Sequence, residues 1–145
     1  MKEMPKTYIR NLVSRWRNYI QNEKWQIIVR KFWCLPNNYN ELKSIDPWLY
    51  KTLSESKLII LKGDINYQKA LGDYNRNPEI PLSIALDSFH LTNTVFVRIL
   101  KSDLICGLDK TTAKKLDTFI RNISKGYLGI IQFTDKPQQP QCLLE

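Results

Sequence analysis

Apolar residues recur along this chain with two periods, and the switches between them outline the elements. From Tyr8 to Asn22, the residues Ile9, Leu12, Val13, Trp16, Tyr19 and Ile20 fall three or four apart with Arg and Asn between them, which predicts an amphipathic helix. Trp25 to Trp33 carries the β-branched run Ile27-Ile28-Val29 and predicts a strand. Leu35-Pro36-Asn37-Asn38 is turn chemistry. Asp46-Pro47 opens a second helix through Leu49, Tyr50 and Leu53, with Asp46 as N-cap and Pro47 at the first helical position. Lys57 to Leu61 is apolar and short enough to be a buried strand.

Beyond it, Asn66 to Gly72 predicts a short helix with Asp64 where an N-cap would sit, and Tyr74 to Pro81 a loop. Pro81 to Phe89 reads as a helical turn or two, Thr94 to Leu100 as a strand, and Leu104 to Leu108 as a short strand. Thr111 to Ile123 predicts a last helix with Leu116, Phe119, Ile120 and Ile123 on one face, and Leu128 to Phe133 a last strand. Strands alternating with helices imply a single α/β domain over residues 1–135 with a mainly parallel sheet, followed by a polar tail at 136–145.

Composition narrows the class. A chain of 145 residues with 43% hydrophobic and 11% aromatic content can bury one core. No apolar run approaches the ~20 residues of a membrane span, and the N-terminus has no hydrophobic signal core, so a cytoplasmic protein is expected. Cys34, Cys106 and Cys142 are odd in number and scattered, which fits reduced thiols. The net charge of +8 invites a nucleic-acid reading, but the 22 Lys and Arg are spread throughout without a binding motif. A solvated basic surface is the preferred reading; a fragment that has lost an acidic partner segment is the alternative.

Candidate chemistry concentrates in Leu58-Ile59-Ile60-Leu61-Lys62-Gly63-Asp64-Ile65-Asn66-Tyr67-Gln68-Lys69. An apolar run breaks at a glycine into polar groups, and in an open α/β sheet ligands bind beyond the carboxyl ends of strands. Lys62 is a cation, Asp64 and Asn66 can hold hydroxyls or cap a helix, and Gly63 lets the backbone approach closely. These are parts for a phosphate or sugar site. Other residues carry bland readings: His90 an exposed or loop histidine, Cys34 a buried structural thiol, Asp103 a turn residue, and Trp16, Trp25, Trp33 and Trp48 core or interface anchors. Asp73, at the Gly72 turn, is balanced between structure and function.

Phe32-Trp33-Cys34-Leu35-Pro36, Asp46-Pro47-Trp48-Leu49-Tyr50, Lys62 to Lys69 with Gly72-Asp73, Arg98-Ile99-Leu100-Lys101-Ser102-Asp103 and Gly129 to Phe133 follow in an order that resembles the C-terminal portion of the damage-control phosphatase family. The branch is the one also described as acidic-residue methyltransferase. The two central motifs are written in that family as K-G-D-x-N-Y-R-K and R-T-x-K. The resemblance implies a Rossmann-like α/β/α fold, incomplete here. It also implies a metal-dependent phosphatase acting on sugar phosphates such as fructose 1-phosphate and fructose 6-phosphate, with manganese or nickel. Carried over by position, substrate contacts fall on Asp64, Ile65, Asn66, Tyr67, Gln68 and Lys101, with Lys62 and Arg98 as further candidates. Lys101 would neutralise phosphate, Asp64 and Asn66 would hold hydroxyls, and Tyr67 would supply a wall and a hydroxyl.

Three departures bear on this. Gln68 stands where the family has arginine, removing a bidentate phosphate donor. Ile99 replaces the threonine of R-T-x-K. The family's metal-holding D-N-x-G-x-E motif is absent from this sequence, so no metal ligands or catalytic residues are assigned. No glycine-rich nucleoside-binding turn supports the methyltransferase label. Two expectations follow: the substrate-binding half of a sugar-phosphate phosphatase, or a non-catalytic remnant or truncated product that binds sugar phosphate without hydrolysis. A sheet lacking its first strands should also self-associate through an uncovered edge.

Overall fold

The β-branched runs pair into one open sheet. In the computed structural model, which describes residues 6–115 and 128–137, β1 (Ile59–Lys62), β2 (Thr94–Ile99) and β3 (Gly129–Thr134) lie in the order β1-β2-β3. β1 and β2 are parallel, with Ile59 opposite Thr94 and Lys62 opposite Val97. β3 is antiparallel to β2, with Gly129 opposite Ile99 and Thr134 opposite Thr94. The described sheet is thus mixed rather than mainly parallel. The chain enters β3 beside the point where β2 ends, so it runs back along β2 instead of crossing over.

Alternation gives the sheet two unlike faces. Ile59, Leu61, Phe96 and Arg98 are buried, and α4 (Asp64–Ala70) packs against β1 and β2. The Tyr67 ring meets Phe96 edge-on at 5.0 Å. Phe32, Tyr39, Leu42, Leu49, Leu71, Leu86 and Phe89 complete this core. They come from 3-10 turns at Lys31–Cys34 and Tyr39–Glu41, from α2 (Leu42–Ile45) and α3 (Pro47–Ser54), and from the connection after α4 that holds α5 (Leu82–Ala85). On the opposite face Ile60 is 63% exposed, Ile131 75% and Phe133 57%.

Asp46 and Pro47 behave as expected: the Asp46 carboxylate accepts from the Leu49 N–H at 3.1 Å and Pro47 occupies the first turn of α3. The region from Trp25 to Trp33 does not form a strand. Residues 26–30 have no regular structure and end in the 3-10 turn. A turn through Glu23, at φ 55°, brings the Trp25 N–H onto the Tyr19 carbonyl at 3.0 Å and its ring to 5.0 Å from that of Tyr19. This contact belongs to the first of two compact units, residues 1–31, which holds α1 (Lys6–Gln21); the second is 32–145.

Leu104 to Leu108 is a loop, not a strand. Its backbone groups are taken by side chains and by another loop: Gly107 and Leu108 donate to the Ile80 and Pro78 carbonyls at 2.7 and 2.9 Å. Cys34 and the four tryptophans are exposed, so none is a core anchor. The last predicted helix is helical at 110–115 behind Asp109, which accepts from the Thr111 and Thr112 N–H groups. Its remainder, with Leu116, Phe119, Ile120 and Ile123, lies outside the described residues, as does residue range 138–145 with Cys142. Among the described residues no helix is long and apolar enough to cross a membrane.

Candidate functional site

Parallel pairing places the carboxyl ends of β1 and β2 side by side. The Gly63 N–H extends the ladder by donating to the Val97 carbonyl at 2.9 Å. The chain then turns at φ 108°, a conformation that favours glycine, and enters α4. Gly63 is therefore the N-cap, and Asp64 lies one position inside the helix rather than capping it. β2 ends at Ile99 and delivers Lys101 to the following loop. Between these segments lies an open cleft of about 1000 Å³, lined by Lys62, Asp64, Ile65, Asn66, Gln68, Arg98 and Lys101 together with Ile99 and the start of β3.

Seven of the eight residues singled out from the sequence thus share one cleft. Tyr67 is the exception. It is fully buried, its hydroxyl accepts from the Cys106 N–H at 3.1 Å, and it does not line the cleft. Burial raises its pKa to about 12, partly offset by the Cys106 backbone and the Arg98 charge.

Several polar groups are already committed within the protein. The Asn66 side-chain oxygen accepts from the Tyr39 hydroxyl at 2.6 Å, and its amide donates to the Lys62 carbonyl at 2.8 Å. Asp64 Oδ2 accepts from the Gln68 amide at 2.7 Å, and Oδ1 lies 3.2 Å from Arg98 Nη1. Ile65 is exposed and apolar. The Lys62 and Lys101 side chains are exposed, and their ammonium groups have no hydrogen-bond or ion-pair partner among the described residues.

Arg98 is buried at 3% exposure and faces the covered side of the sheet. Its Nη2 donates to the Leu104 carbonyl at 2.6 Å, and its guanidinium lies 3.8 Å from the Tyr67 ring centroid. Burial lowers its pKa, opposed by Tyr67 and Asp64. Local sequence reading missed Tyr39, whose hydroxyl fixes Asn66 from 27 positions away, and the Leu104 and Cys106 backbone groups. No signal within either segment announces such long-range partners. His90, with its ring on Thr134 and the Asp135 carbonyl, lies apart from the cleft. Asp73 occupies a left-handed turn after Gly72, and Asp103 is an exposed loop residue.

The cleft residues do not fit a divalent metal by themselves. Among the described residues Asp64 is the one carboxylate lining the cleft, and both its oxygens face Arg98 or Gln68. Among the described residues no three His, Cys, Asp or Glu side chains gather as a ligand set.

The model of the damage-control phosphatase ARMT1-like domain matches residues 2–116, covering both cleft motifs. The chain belongs to this family. It is similar to Damage-control phosphatase ARMT1 of Homo sapiens, 35% identical over 101 residues, which are 70% of this chain and 23% of that protein. The Mus musculus protein is 34% identical over 119 residues, 81% of this chain and 27% of that protein. That of Bos taurus is 29% identical over 119 residues, with the same two shares. This damage-control phosphatase family chain spans about a quarter of the length of the curated relatives it matches.

Proposed function

We propose that this chain forms the substrate-binding part of a metal-dependent sugar phosphate phosphatase, within a Rossmann-like α/β/α fold of which the three strands are one portion. The substrate class is fructose 1-phosphate or fructose 6-phosphate. The observation that carries this reading is the pair of ammonium groups, Lys62 and Lys101, on one cleft at adjacent strand ends and without a partner among the described residues. Two cations without carboxylate partners suit a phosphate dianion. The Asn66 and Gln68 amides reach sugar hydroxyls by exchanging internal hydrogen bonds, while Ile65 and Ile99 shield the ring. In this reading a divalent ion, manganese or nickel, would supply polarisation of the phosphoryl group and would be held by residues outside this chain.

A second reading, binding without turnover by this chain alone, is favoured by the donor set, because Asp64, the one cleft carboxylate among the described residues, is engaged by Arg98 and Gln68. Calorimetric titration of the folded chain with both fructose phosphates tests the shared claim. Phosphate release with manganese or nickel separates the readings. Saturable binding is expected; a flat titration removes both.

A further inference from the structure

Among the described residues Arg98 is the one cation of the cleft whose charge is enclosed by protein. Its side chain has no exposed surface, and the Asp64 side chain that faces it is 7% exposed. Leaving such a charge unpaired in the interior is costly, yet here it is held by three partners from two separate segments. Asp64 and Tyr67 belong to α4, at its first turn and its middle. Leu104, which accepts from Nη2 at 2.6 Å, lies in the loop that begins after β2. Lys101 rides on that loop, between Arg98 and Leu104. The same guanidinium therefore fastens both banks of the cleft, the α4 turn with Asn66 and Gln68 and the loop with Lys101. Tyr67 adds a second tie, since its hydroxyl accepts from the Cys106 N–H just beyond Leu104.

We propose that Arg98 is the positioning residue of this cleft: it sets the separation of Lys101 from the Asn66–Gln68 turn through Asp64, Tyr67 and the Leu104 carbonyl, and does not itself bind the phosphate. The phosphate part of this rests on the sugar-phosphate reading; the tie between α4 and the loop does not. Lysine cannot replace Arg98, because a single ammonium lacks the planar fork that reaches Asp64 and Leu104 while stacking on a ring.

Native-state hydrogen exchange of the unaltered, ligand-free chain tests the tie. Segments 64–68 and 101–106 should open together, as one unit; independent opening overturns the proposal. Titration of the same chain with fructose 6-phosphate, followed by side-chain NMR, tests the division of labour. Lys62 and Lys101 signals should move while the Arg98 guanidinium signals stay. Movement of Arg98 equal to that of Lys101 makes it a ligand and overturns the proposal. If no side chain responds, the sugar-phosphate reading falls and the exchange experiment still judges the tie.

Where Arg98→Lys folds, it should weaken fructose 6-phosphate binding on the order of tenfold to a hundredfold; unchanged affinity overturns the proposal. In an Arg98→Met background, Asp64→Asn should recover thermal stability by removing the orphaned buried carboxylate, but should not recover affinity. Affinity returning together with stability would show a merely structural role.

Discussion

The Gln68 amide donates to Asp64 Oδ2 at 2.7 Å, across one turn of α4. A neutral donor thus occupies the carboxylate oxygen that Arg98 leaves open. In Gln68→Arg, one arm of the guanidinium can keep this contact while another N–H faces the cleft. Binding of fructose 6-phosphate should tighten by about 1–3 kcal/mol, the scale of a charged hydrogen bond. Unchanged affinity by calorimetry would mean that Asp64 takes the whole guanidinium.

Lys101→Met and Lys62→Met should each weaken sugar-phosphate binding by roughly 1–3 kcal/mol. The affinity of the unaltered chain should also fall as salt rises, since both ammonium groups are exposed. Lys110→Met, at an exposed position off the cleft, is the control and should bind normally.

The exposed sheet face with Ile60, Ile131 and Phe133 should drive self-association. Light scattering after size-exclusion chromatography should show oligomers that Phe133→Lys reduces. A cleanly monomeric unaltered chain that melts cooperatively would contradict this expectation.

Stability should also fall in alkali. Burial raises the Tyr39 and Tyr67 pKa values from 10.0 to about 12. The folded state holds these protons more tightly than the unfolded one. Their contribution is therefore fully present below pH 10 and lost as pH rises toward 12. Each two-unit shift is worth at most roughly 2–3 kcal/mol. Denaturant midpoints measured from pH 9 to 12 should decline over this window, and less steeply in Tyr39→Phe. A flat profile would argue that neither phenol is shielded.

What the sequence disclosed was local. Asp46-Pro47 and its helix needed only neighbouring residues, and the strands at 59–62, 94–99 and 129–134 followed from short apolar or β-branched runs. The segments 25–33 and 104–108 carry similar content without forming strands. In the first, Trp25 folds back on α1; in the second, Arg98, Tyr67 and Gln132 take the backbone groups a neighbouring strand would use. The cleft was legible because two motifs each mark a strand end. The role of Asp64 was not, because its partner Arg98 lies 34 positions along the chain, and the spacing suggested a cap instead.

The parallel pairing of β1 with β2 also sets the order in which the molecule can assemble. Residues 63–93 separate the two strands, so their ladder closes only after a long stretch of chain has lost its freedom. The cleft lies at a seam that exists only once this stretch has ordered. A ligand held there finds nothing to grip in a chain still searching for that closure. It would leave the folding rate unchanged and act by slowing escape from the finished state.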